Sequence, residues 1–208
     1  MRISKAPEER RKEILDVAEK LFSTKGYVHT TINDILKTIG IAKGTFYYHF
    51  QSKEAVMDAI VERFIEEGVK VAEQIAANPH LNAQEKIFQI IMAQNPEAGR
   101  KEKMIEELHQ VNNAEMHQKS LVETIVQLTP ILTKVIEQGI EEGVFRTPYP
   151  KETVEVLLVS SGFLFDEGIF QWDPNEQMDK AVAFTYILEK TLGAEQGSFS
   201  YLLTKLGE

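Results

Sequence analysis

Apolar residues recur at spacings of three and four along most of the chain, and no stretch of useful length alternates with a period of two. Every predicted element is therefore a helix. Ile14, Val17, Ala18, Leu21 and Phe22 form the first stripe, in a helix over about Pro7–Lys25. Pro7 suits a first turn, Glu8 and Glu9 suit the positive end of the helix dipole, and Gly26 is the stop. Ile32, Ile35, Leu36 and Ile39 form a second stripe. Thr31 caps it through its hydroxyl, and Gly40 ends it in a conformation with φ > 0. After a short turn a further helix begins over Gly44–His49, with Phe46 and Phe50, one turn apart, as its inward pair. Ser52 caps a long helix from about Lys53 to Ala77, which Asn78-Pro79 ends.

The rest of the chain continues in the same way. Helices are predicted over about Asn82–Gln94, Arg100–Glu115 (after a break at Gly99) and Gln118–Glu142. Pro130 lies inside the last of these, and its missing N–H predicts a kink. Gly143 closes that helix, and Thr147-Pro148-Tyr149-Pro150 reads as a stiff linker. Two more helices follow over about Lys151–Gln171 and Pro174–Leu192. Val156, Leu157, Val159, Ser160, Phe163, Leu164 and Phe165 leave the first of this pair apolar or small nearly all round, so it must be buried on more than one side. Asp166 and Glu167 interrupt it, either as an exposed patch or as a buried carboxylate meeting a cation. Phe199, Leu202, Leu203 and Leu206 make the tail a short amphipathic helix, packed on its own subunit or on a partner. The predicted fold class is all-α. A three-helix helix-turn-helix domain (residues 1–53) precedes a helical bundle (residues 54–208), about nine or ten helices in all.

Two short helices joined by a glycine turn are the helix-turn-helix pattern, whose second helix enters the DNA major groove by its first turn. Here that turn carries Lys43, Thr45, Tyr47 and Tyr48, with His49 beside them. The Tyr48 ring suits a thymine methyl, and Lys43 reaches guanine O6/N7 or a phosphate. The net charge of −9 argues against nucleic acid until the chain is divided. Residues 1–53 hold 10 Lys and Arg against 6 Asp and Glu, a net of +4, and the remainder carries −13. A basic head on an acidic body fits a protein that meets phosphate at one end. Arg2 and Lys5 form a basic arm that either reaches a minor groove or frays. The absence of cysteine excludes disulfides and thiolate sites. The charged N-terminus is no signal peptide, and the longest apolar run, Val156–Phe165, is too short to span a bilayer, so a cytoplasmic protein without a membrane partner is expected.

Thr31, Asp34, Ile35, Gly40, Gly44, Thr45, Tyr47, His49, Phe50 and Lys53 match a pattern T-x-x-D-I-A-x-x-A-G-V-S-x-G-T-L-Y-x-H-F-x-x-K, and residues 8–60 thereby resemble the TetR family of bacterial repressors. Leu36, Ile39, Ala42 and Phe46 depart from it, Ala42 most importantly, because alanine offers the recognition helix no side-chain cap, a loss of about 1 kcal/mol. The resemblance implies that Thr45, Tyr47, His49 and Lys53 hold the DNA backbone, where contacts fix register and carry little sequence information. It implies a base contact or a local hydrogen bond for Asn33. The DNA-binding set is then Thr31, Asn33, Lys43, Gly44, Thr45, Tyr47, Tyr48, His49 and Lys53. It further implies a homodimer through a four-helix bundle, with Val156, Val159, Ser160, Phe163, Met178, Val182 and Thr185 at the interface, and a palindromic double-stranded operator. Finally it implies an effector pocket in the second domain, for which Phe88, Met92, Met104, Met116, Phe163 and Trp172 are the candidate lining.

His109, Asn113 and His117 share a helical face with Glu102 and Glu106, a spacing compatible with a metal or with a solvated polar face; no metal or cofactor is expected. No nucleophile-elbow, zinc-protease or phosphate-loop motif occurs, so no enzyme is expected. Two readings stand: a repressor released from its operator by an unidentified small molecule, or a constitutive DNA-binding or protein-interaction module with no effector. A roomy cavity in the body favours the first, and a filled core with a large exposed apolar patch favours the second.

Overall fold

The computed structural model describes residues 5–94, 114–166 and 168–206. Among these residues the regular structure is entirely helical: α1 (Pro7–Lys25), α2 (Ile32–Ile39), α3 (Lys43–His49), α4 (Lys53–Ala76), α5 (Ala83–Gln94), α6 (Ala114–Glu141), α7 (Pro150–Leu164), α8 (Pro174–Leu192) and α9 (Tyr201–Leu206). None of the described helices is long and apolar enough to cross a membrane. The described residues form two compact units, one of residues 5–66 with 114–116 and one of residues 67–94, 117–166 and 168–206.

In the first unit the stripe of α1 meets the inward faces of α2, α3 and the start of α4. Ile14, Ala18, Phe22, Ile35, Phe46, Val56, Met57 and Ile60 are its most deeply buried members. Glu19 is buried among them. Its carboxylate pairs with Arg63 of α4, whose other guanidinium nitrogen holds Asp16 at 2.6 Å. A buried carboxylate needs such a partner, and this one ties α4 to α1.

In the second unit Ile87 and Ile90 of α5, Leu128, Val135 and Ile136 of α6, Val154 of α7, and Leu188 and Leu192 of α8 share one core. Phe199 and Leu202 enter the same core, so the tail packs on its own subunit. Asn82 caps α5, accepting the Glu85 N–H at 2.9 Å. Lys86, buried, donates to the Ala76 carbonyl and to Gln138 Oε1, both at 2.7 Å. Its charge thus lies at the negative end of α4.

One boundary differs markedly from expectation. The helix predicted to reach Gln171 stops at Leu164. Asp166 Oδ1 accepts the N–H groups of Gly168 (2.9 Å) and Ile169 (3.2 Å), which a continuing helix would need for itself. Trp172 Nε1 then donates to the Leu164 carbonyl at 2.8 Å. Asp166 is no exposed patch: its side chain is 7% exposed, and Oδ2 lies 2.8 Å from His117 Nε2. Glu167, Glu102, Glu106, His109 and Asn113 lie outside the described residues, as does the predicted helix from Arg100 up to residue 113. Residues 114 and 115 already belong to α6, which continues through Pro130.

Candidate nucleic-acid interface

The reading motif is held by its ends. Thr31 Oγ1 accepts the Asp34 N–H at 3.2 Å, and Asp34 Oδ2 accepts from Thr31 N at 2.9 Å and from Thr31 Oγ1 at 2.7 Å. This reciprocal cap satisfies N–H groups that the first turn of α2 leaves over. Lys25 Nζ, at the end of α1, donates to the same oxygen at 2.7 Å. Hydrogen bonds from Lys25 and then Thr31 hold the Asp34 carboxyl well below the usual carboxylate range. Gly40, at φ +76°, turns the chain out of α2. A side chain would be strained there. Ala42 makes no side-chain cap, and α3 still forms. Phe46 is fully buried and Phe50 nearly so, their ring centroids 6.2 Å apart.

That apolar anchor leaves the other faces of α3 outside. Tyr48 is 75% exposed; Tyr47, Lys43 and Gly44 are exposed, and Thr45 and His49 half-buried. Lys43 Nζ lies 5.6 Å from the Tyr47 ring centroid, and the Tyr48 and His49 rings meet edge to face at 4.9 Å. Gly44 precedes Tyr48 by one turn, on the same face. A Cβ built at Gly44 would meet nothing within 4 Å, and its φ is ordinary. The fold alone therefore does not require glycine there. Asn33 is exposed in the first turn of α2, and Thr31, also exposed, is engaged in the cap.

Lys53 has a role that the sequence did not reveal. Its ammonium donates to the carbonyls of Tyr27 (2.8 Å) and Thr30 (3.1 Å) and stands 4.1 Å from the Tyr27 ring centroid. It therefore clamps the loop between α1 and α2, with one N–H beyond those two bonds. Nothing in the local pattern announces this, because the partners are 26 and 23 residues away. Burial, followed by the Glu54 carboxylate, pushes the Tyr27 phenol well above its ordinary pKa and keeps it neutral.

Known proteins share both this motif and the helical body. A family model described as bacterial regulatory proteins, tetR family, matches residues 14–60, and one described as tetracyclin repressor-like, C-terminal domain, matches residues 97–187. The uncharacterized HTH-type transcriptional regulator YhgD of Bacillus subtilis is 30% identical over 169 residues, 79% of this chain and 85% of that one. The chain belongs to the TetR family. It is a helix-turn-helix DNA-binding transcriptional regulator and not an enzyme. The HTH-type transcriptional repressor KstR2 of Rhodococcus jostii is 43% identical over 58 residues, and that match spans only 28% of either chain. A TetR/AcrR-family regulator from Thermobifida fusca shares the fold, with a TM-score of 0.61 at 24% identity over 90% of this chain and 99% of that one.

In this TetR-family chain the second unit holds a partly open cavity of about 280 Å³, lined by Ile87, Met92, Leu132, Leu158, Phe184 and Tyr201 among others. Of the predicted pocket residues whose side chains are described, only Met92 is found there. Phe88 is exposed, with its ring edge-on to Tyr201 at 4.8 Å. Phe163 is exposed on α7. Trp172 stacks on Phe170 at 4.8 Å beneath Lys180, whose Nζ is 3.7 Å from the Trp172 ring centroid. Met104 and the Met116 side chain lie outside the described residues. The sequence marks large adaptable side chains as pocket candidates, whereas the rotation of each helix decides which of them face inward.

The outer faces of α7 and α8 carry a shallow apolar groove of about 420 Å³, floored by Val156, Leu157, Ser160, Ala183, Phe184 and Ile187. Val156 is 61% exposed and Ile187 52%, with Val159, Phe163, Val182 and Tyr186 exposed beside them. Met178 is half-buried. Thr185, predicted at the dimer surface, instead faces its own core, with Oγ1 donating to the Ala181 carbonyl at 2.8 Å. Tyr186 and Ile187 hold the outer positions.

Proposed function

We propose that this chain is a homodimeric repressor that reads a palindromic operator through α3 and leaves it when a small molecule fills the body. The observation that carries the reading is the coexistence, in one chain, of an exposed Lys43–Gly44–Tyr47–Tyr48 face and a cavity of about 280 Å³. Tyr48 and Lys43 read bases. Thr45, Tyr47, His49 and the remaining N–H of Lys53 hold the backbone and fix register. A second copy covers the apolar outer face of α7 and α8, since an exposed apolar surface of that kind is stable in water only when something covers it. Two symmetric heads then require half-sites about one helical turn apart or somewhat more. The effector need supply only a few kcal/mol of differential affinity between DNA-competent and released forms.

The outer face of α7 and α8 also suits the second reading, a module that docks another protein and takes no effector. Selection of random duplex DNA on the purified protein, at about 150 mM salt to screen non-specific attraction, tests the proposal. Recovery of a palindrome is expected. Recovery of asymmetric sites, or of no motif, from a preparation free of bound small molecules would overturn the dimeric reader.

A further inference from the structure

The lining of the cavity states which ligands it accepts. Ile87, Leu132, Leu158, Phe184 and Leu188 supply aliphatic and aromatic walls, and Met92 supplies a pliable one. Among the described lining residues none is charged, and the side-chain hydroxyls are those of Ser161 and Tyr201. Ser161 Oγ donates to the Leu158 carbonyl at 3.2 Å, which leaves the oxygen able to accept a hydrogen bond. Burial pushes the Tyr201 phenol up from its ordinary pKa, so it stays a neutral donor. The segment 199–202 forms one side of the space, with Phe199 and, from α9, Tyr201 and Leu202 in its lining. An ion entering such walls would lose its hydration without gaining a counter-charge. An uncharged molecule with one oxygen-bearing end would lose little and would bury its apolar body.

Resting on the ligand-responsive reading, we propose that this cavity binds an uncharged, largely apolar small molecule whose polar end meets the Ser161 and Tyr201 hydroxyls. The tail segment 199–202 is thereby part of the ligand site and not an appendage.

The test uses the full chain and a neutral fluorescent probe, N-phenylnaphthylamine, displaced in turn by decanol, decanoate and decylamine at about pH 8, where the acid is ionised. Decanol is expected to displace the probe at least about tenfold more effectively than decanoate or decylamine, a difference of roughly 1.4 kcal/mol. Leu158→Trp, which fills the cavity, is expected to abolish uptake, with helix content checked by circular dichroism. Ser161→Ala with Tyr201→Phe, a gentler change, is expected to weaken decanol several-fold and leave the probe's own affinity unchanged. Displacement by decanoate or decylamine as effective as by decanol would overturn the ligand class and leave effector control standing. Absence of uptake, or uptake that a folded Leu158→Trp chain retains, would overturn the cavity as a binding site altogether.

Discussion

The first unit and the second each expose an apolar surface, and the company that surface keeps differs. On α3 the exposed rings of Tyr47 and Tyr48 stand among Lys43, Thr45 and His49. On α7 and α8 the exposed Val156, Val182 and Ile187 flank a groove of Leu157, Ala183 and Phe184. Rings mixed with cations and hydroxyls suit a partner that offers both phosphate and base edges. Branched aliphatic side chains around small residues suit another protein surface. The interiors differ too. Phe46, Ile35 and Ile60 in the first unit have no exposed area, whereas the second unit holds a partly open cavity. A filled interior suits a part that must present side chains rigidly. A hollow one suits a part that is to change state when occupied.

The largest test of this contrast is a pair of truncations. Phe46→Ala should destabilise the first unit by about 3–5 kcal/mol, because a fully buried ring leaves a void in a packed core. Leu158→Ala should cost roughly 2 kcal/mol or less, because that side chain already borders empty space. Urea unfolding checks both, and equal losses would remove the distinction between filled and hollow. Lys53→Met is next. It keeps the stem and deletes the ammonium that holds Tyr27 and Thr30, and a loss of about 1–2 kcal/mol is expected. The salt dependence of DNA binding should also flatten by about one contact per subunit. A thermal shift with an unchanged salt slope would restrict Lys53 to clamping the loop.

Gly44→Ala should move stability and binding in opposite directions. Helix α3 should gain about 0.5–1 kcal/mol, since a Cβ there meets nothing and glycine costs backbone entropy. DNA affinity should fall several-fold if the bare backbone is where the duplex comes close. Affinity that rises with stability would place the DNA elsewhere. The smallest effect is electrostatic. The folded Asp34 carboxyl sheds its proton more readily than the unfolded one, so its contribution is complete above the ordinary carboxylate range, begins to drain below about pH 5, and keeps draining through that range and below it. Asp34→Asn should flatten that part of the acid limb, as urea midpoints across this range would register.

What was legible in the sequence follows from how local each cause is. Thr31, Asp34 and Gly40 act within a turn of their own positions, and the bounds of α2 could be read from them. Pro7, Gly26, Pro174 and Leu192 likewise marked the ends of α1 and α8. The early end of α7 depends on a carboxylate that turns back on its own backbone and pairs with His117, 49 positions earlier, and no periodicity carries that. The Lys53 clamp and the buried Glu19–Arg63 pair are equally non-local. For the candidate site, the exposed face of α3 follows from the inward pair Phe46 and Phe50. The cavity lining does not, because a shift of one residue in helix rotation exchanges Thr185 for Tyr186 or Ile87 for Phe88 between inside and outside.

We expect Tyr48 to read sequence from a scaffold that does not need its exposed side chain. The direct measurement is the affinity of Tyr48→Ala for the selected operator and for a scrambled duplex of equal length, at one salt concentration. About tenfold or greater loss is expected on the operator, with little change on the scrambled duplex and an unaltered unfolding midpoint. Equal losses on both duplexes would contradict it and assign Tyr48 to the DNA backbone.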